Sequence, residues 1–168
     1  MRNNKEKNEY EMEPHVDLQK ICSPDILIVP EIGPCLGVAF YHTKKREGYI
    51  AHIAGAEDRE DTYEIITKAL TDLNDASQLE ITLCGLSSSC NNQTKEEYQK
   101  EKKFIEKFKF KLMEYLTEKG CTKITEKYAK IYDSITELRL DAETGEVTVE
   151  ETDLLDEFSH YYDDEFNF

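Results

Sequence analysis

Residues Val29 to Gly55 read VPEIGPCLGVAFYHTKKREGYIAHIAG, and this stretch decides the fold. Two apolar runs, CLGVAFYH (Cys35 to His42) and GYIAHIAG (Gly48 to Gly55), flank the polar TKKRE. Each run is too short for an ordinary helix, and the polar segment between them suits a turn, so the pair predicts a β-hairpin. The Gly-Pro before Cys35 puts that cysteine where a loop becomes a strand. A thiol there is open to a reacting group, with backbone N–H groups nearby to hold an oxyanion. His52 lies on the returning strand, where it can approach Cys35. The pairing has chemical meaning, because a free cysteine is mostly thiol near neutrality and an adjacent imidazole can take its proton. On spacing alone, packing remains the commoner role for a cysteine with apolar neighbours.

Working outward, DILIV (Asp25 to Val29) is a short apolar run before Pro30 and reads as a strand. Asp58 to Leu73 carries Tyr63, Ile66, Leu70 and Leu73 at helical spacing and predicts an amphipathic helix. LEITLCGL (Leu79 to Leu86) reads as a buried strand. SSSCNNQT is loop, and Lys95 to Lys119 is a long helix closed by Gly120. TELRLDAETGEVTVE predicts two strands about a turn in which Gly145 takes positive φ. Strands at both ends with two helices between them predict an α+β fold of mixed sheets with helices covering one side.

The chain has 168 residues and a formal net charge of −15, from 36 Asp and Glu against 21 Lys and Arg. The length fits one domain. Residues 1–15 hold −1 of that charge, residues 150–168 hold −8 with no base, and the middle holds −6. We expect a disordered tail over 1–15, a single domain over 16–149 and an acidic, aromatic tail over 150–168. Leu154, Leu155, Phe158, Tyr161, Tyr162, Phe166 and Phe168 give that last segment apolar surface with which to dock on the body or on a basic protein partner. So acidic a surface repels phosphate backbones and anionic lipid, which excludes nucleic acid and bare membrane as partners. The sequence contains no apolar run of membrane-spanning length, and MRNNKEKNEYEMEP lacks the apolar core of a signal peptide, so a cytoplasmic, monomeric protein is expected. The five cysteines show no C-x-x-C pair and read as reduced thiols.

The order of GPC (Gly33 to Cys35), GVAFYH (Gly37 to His42), AH (Ala51, His52), LEITLCG (Leu79 to Gly85) and LRLDAETGEVTV (Leu138 to Val149) resembles the chemoreceptor glutamine deamidase (CheD) family, from about residue 20 to residue 150. The resemblance implies a layered fold: a β-sandwich-like core of mixed sheets with two main helices packed outside. It also implies a protein glutamine deamidase with Cys35 as nucleophile and His52 as base, working through a thioester with no metal or organic cofactor. The substrate would be a protein bearing an exposed glutamine, with Gly33, Pro34, Ser87 and Ser88 lining the site and the Cys35 N–H facing the oxyanion.

The sequence departs from the family pattern in places. The family's threonine six residues before the cysteine is Val29 here, which leaves the backbone carbonyl of Val29 or a neighbour to orient His52. A main-chain carbonyl does so in the distantly similar cytotoxic necrotizing factor toxins, and that likeness leaves delivery into another cell open. The family's serine before the cysteine is Pro34, which has no N–H. Ile53, Ala54 and Gly55 replace Met-Leu-Pro, and Ile131 to Thr136 differ where partner contacts are expected. These changes point away from chemotaxis and toward another protein target. A non-catalytic binding module with a decayed site is the competing expectation, and transamidation would share the thioester.

Among the remaining candidates, His42 is expected at the surface, and His15 and His160 lie in the tails. Cys84 is expected as core filler and Cys90 as incidentally exposed. A metal triad of Cys35, His42 and His52 is disfavoured because residues 35 and 42 have opposite parity on one strand.

Overall fold

A computed structural model describes residues 5–54, 59–88, 94–130 and 132–154. The strands are β1 (Glu9–Glu11), β2 (Leu18–Cys22), β3 (Ile26–Ile32), β4 (Leu36–His42), β5 (Glu47–Ile53), β6 (Leu79–Gly85), β7 (Lys123–Tyr128), β8 (Ser134–Asp141) and β9 (Val147–Asp153). The helices are α1 (Arg59–Leu73) and α2 (Lys95–Glu118). Two mixed sheets form, in the orders β1-β3-β8-β9 and β2-β5-β4-β6-β7, and neither closes into a barrel. The α+β expectation agrees with this arrangement.

Every residue of β4 is buried. A strand covered on both faces needs no alternation, which explains why LGVAFYH reads as one apolar run. Its two faces serve two cores. Leu36, Val38 and Phe40 join Ile66, Leu73, Phe108, Leu112 and Leu116 beneath the helices, while Ala39 and Tyr41 join Leu27, Val29, Ile50, Leu138 and Leu140 between the sheets. By contrast β8 has only one covered face, and its burial alternates residue by residue.

Local signals hold the helices in register. Thr94 and Glu97 form a capping box, with Glu97 N–H donating to Thr94 Oγ1 at 3.2 Å and Thr94 N–H to Glu97 Oε2 at 2.8 Å. At the other end of α2, the Cys121 N–H donates to the Leu116 carbonyl and the Gly120 N–H to the Thr117 carbonyl, both at 3.0 Å. This is the Schellman pattern, with Gly120 left-handed at φ 88°.

Four strands extend the expected organisation. β1 lies within the stretch expected to be a disordered tail; it pairs in parallel with β3. Its Glu9 bonds to Arg139, and the neighbouring Lys7 reaches Asp141 at 2.6 Å. β9 runs to Asp153, so residues 150–153 belong to the folded body rather than to the acidic tail. β2 and β7 are sheet edges whose mixed polar sequences carry little periodicity. Residues 155–168, with the aromatic groups expected to dock, lie outside the described residues, as do Cys90 and His160.

The chain leaves one sheet at Ile32 and enters the other at Leu36, so Gly33 to Cys35 is the crossing between layers. Gly85 ends β6 beneath this crossing at φ 81°, and a Cβ there would sit 2.3 Å from the Cys35 carbonyl oxygen. At Gly120 a Cβ would meet only the Ala76 Cβ, at 3.6 Å. Gly120→Ala is therefore expected to cost about 1 kcal/mol, from backbone conformation alone. Gly85→Ala adds a clash with main chain and is expected to cost about 2–4 kcal/mol. Urea unfolding of the two variants checks the difference.

Candidate active site

The crossing loop is held by main-chain hydrogen bonds. Leu86 N–H donates to the Cys35 carbonyl at 2.9 Å, and Ser87 N–H donates to the Gly33 carbonyl at 3.1 Å. Pro34 lies exposed between them. To reach both carbonyls the end of β6 turns through two left-handed residues, Gly85 and then Leu86 at φ 57°. A leucine in this conformation is strained. Burial of its side chain under the helices keeps it there, at 4% exposure. With its carbonyl occupied, Cys35 keeps its own amide unengaged by any described residue. That N–H is suited to an oxyanion, whereas the Ser87 amide is already committed.

The strand register relates Cys35 to His52. Gly37 on β4 pairs directly with His52 on β5. Paired residues project to the same face, and Cys35 is two positions before Gly37, so Cys35 and His52 are diagonal neighbours on the inter-sheet side. The packing agrees, since Cys35 lies half-buried against the inter-sheet core. Gly37 has no side chain to separate them and cannot acquire one easily: a Cβ would lie 2.6 Å from both Cys84 Sγ and Ile32 Cδ1. The ring of His52 makes no hydrogen bond to a described residue, Val29 included. Burial lowers its pKa, and the charge of Asp17 works in the opposite direction.

Val29 is buried on the facing sheet, paired with Leu138 just before an irregularity in the ladder between Val29 and Ile32. Ser87 is 6% exposed, and its hydroxyl accepts from the Ser134 N–H at 3.1 Å; Ser134 Oγ in turn donates to Glu151 Oε1 at 2.7 Å. It therefore braces β6 against β8 and β9. Ser88 accepts the Asp133 N–H at its carbonyl and lines a separate cavity of about 210 Å³ with Tyr98, Lys102, Lys130 and Tyr132.

His42 corrects an expectation. It is 3% exposed rather than at the surface. Its Nδ1 accepts the Lys45 N–H at 3.2 Å, and its carbonyl accepts the Arg46 N–H, so it closes the β4–β5 turn. Among the described residues no three His, Cys, Asp or Glu side chains are grouped to hold a metal ion, and no helix is long and apolar enough to cross a membrane. Asp17 was not foreseen. Its carbonyl accepts the His52 N–H at 3.0 Å, and no local motif in PHVDLQK announces that contact.

Cys84 faces the same core from β6 and is fully buried, which pushes its thiol up to about 12. Burial raises the Cys121 thiol as well. In native protein near neutral pH, iodoacetamide is expected to reach Cys35 and Cys22 while Cys84 and Cys121 react only after unfolding. Peptide mapping of the alkylated sites reads this order.

No protein-family model matches the chain, and no curated protein does. Among solved structures, the chain is similar to the hypothetical protein YfiH of Bacillus licheniformis, with 14% identity and a TM-score of 0.38 over 69% of this chain and 51% of that one. It is also similar to the C-terminal domain of CNFy from Yersinia pseudotuberculosis, with 9% identity and a TM-score of 0.38 over 80% of this chain and 51% of that one. The chain thus spans about half the length of each of these structures.

Proposed function

We propose that the chain is a cysteine-dependent protein glutamine deamidase. The observation that carries the reading is the register that makes Cys35 and His52 diagonal neighbours on one face, with the Cys35 amide unengaged. His52 takes the Cys35 proton as the sulfur attacks the side-chain carboxamide of a glutamine, and the Cys35 N–H holds the resulting oxyanion. The imidazolium then gives its proton to the departing ammonia, leaving a thioester. His52 next deprotonates a water that attacks this thioester, releasing glutamate on the substrate and restoring the thiol. The cycle consumes one water and releases one ammonia.

This reading takes a protein other than a chemoreceptor as substrate, because Ile53 to Gly55 and Ile131 to Thr136 depart from the pattern of the family the sequence resembles. Gly33 and Pro34 shape the approach to the thiol. Ser87 acts through the brace that fixes the loop, and Ser88 faces the neighbouring cavity beside it.

The decisive experiment compares proteomes exposed to wild type and to Cys35→Ala, searching by mass spectrometry for glutamine converted to glutamate. Conversion that depends on Cys35 is expected; none with either protein would leave the non-catalytic binding module as the better account. His52→Ala is expected to slow conversion by about 10²–10⁴-fold.

The pH dependence follows from the burial of His52. A base must be neutral, and burial holds this imidazole neutral to lower pH than its ordinary value of 6.5. The rate is therefore expected to persist below pH 6.5 and to fall as the ring finally protonates. An acid limb lying above that value would contradict His52 as the base.

A further inference from the structure

We infer that Asp17 is the positioning residue for His52, completing an acid–imidazole–thiol series across three adjacent strands. The inference rests on the deamidase reading for its catalytic meaning, but the Asp17–His52 relation stands on geometry alone. In the β2–β5 ladder Leu18 pairs with Ala51 and Gln19 with Ile50. One step beyond the last ladder pair, the His52 N–H donates to the Asp17 carbonyl at 3.0 Å, which sets Asp17 opposite His52. Directly opposed residues project to the same face with Cβ atoms about 5 Å apart. Ile21 and Ile50 mark that face as the inter-sheet side, where Cys35 also lies. β2, β5 and β4 are consecutive in the sheet, so Asp17 at the start of β2, His52 on β5 and Cys35 at the start of β4 follow one another in that order.

Among the described residues, the surroundings leave Asp17 without a competitor. β4 contributes Gly37 opposite His52, and the facing sheet presents Ile32 and Leu138 around that glycine. Among the described residues no other side-chain charge acts on the ring, and that of Asp17 favours the imidazolium that burial disfavours. Chemically, a carboxylate on one side of an imidazole fixes which nitrogen carries the proton. It leaves the other nitrogen to face the thiol and stabilises the cation formed when the thiol ionises. Val29 cannot supply this from its side chain. Asp17 approaches from the β2 side of β5, opposite Cys35, and is exposed.

The test uses the full chain with Asp17→Asn and Asp17→Glu, read in two ways. In the first, proton NMR follows the titration of His52, assigned by its loss in His52→Ala. Asp17→Asn is expected to lower the midpoint, and Asp17→Glu to return it toward wild type. In the second, the rate of Cys35 alkylation below neutral pH is expected to fall about tenfold in Asp17→Asn, less than for a buried acid because water screens the pair. Asp17→Glu is expected to recover most of that rate, and added salt to narrow the gap. An unchanged titration and alkylation rate in Asp17→Asn, with His52→Ala still slow, overturns the inference and leaves the Val29 main chain to orient the ring. An alkylation rate insensitive to His52→Ala overturns the deamidase reading instead, and the NMR titration then still reports on Asp17.

Discussion

Two main-chain hydrogen bonds, from the Leu86 and Ser87 amides to the Cys35 and Gly33 carbonyls, set the geometry on which the rest of the candidate site depends. They fix where the chain passes from one sheet to the other. Without them Gly33 to Cys35 would be an ordinary connection with a cysteine at its end. With them, the Cys35 carbonyl is turned toward β6, and its side chain falls on the face where His52 stands. Meeting this constraint costs β6 its regular ending. Gly85 and Leu86 both take left-handed conformations, and the strain at Leu86 is offset by burying its side chain beneath the helices.

The same constraint explains the polar network on the far side of the loop. Once the Ser87 amide is committed to Gly33, its hydroxyl is left facing β8, where the Ser134 N–H and then Glu151 take it up. A buried serine needs such partners. The result ties the end of β6 to β8 and β9, so both sheets hold the crossing between them. Ser87, read in the sequence as lining the site, braces the crossing as well.

What the sequence disclosed follows from how each element is buried. β4 and β6 are covered on both faces and read as apolar runs, α1 and α2 carry helical periodicity, and the β8–β9 hairpin is announced by its glycine turn. The Cys35–His52 relation was legible because one hairpin sets its register. β1, β2 and β7 escaped because edge strands need not alternate, and their pairing is decided by partners far away in sequence. Asp17 escaped for that reason, since its place beside His52 exists only through the β2 register. His42 was misjudged because the turn after it folds back over the ring, so nearness to a strand end did not mean exposure.

The crossing also orders how the molecule assembles. β4, β5 and β6, with α1 between β5 and β6, are close along the chain and share one core, which α2 completes. β3, by contrast, must wait for β8, whose residues 134–141 follow nearly the whole chain. Long loops close slowly, so sequence-local pairings form ahead of distant ones. The hairpin carrying His52 is thus expected to precede the second sheet, whose arrival brings Ser134 to Ser87 and braces the crossing from its far side.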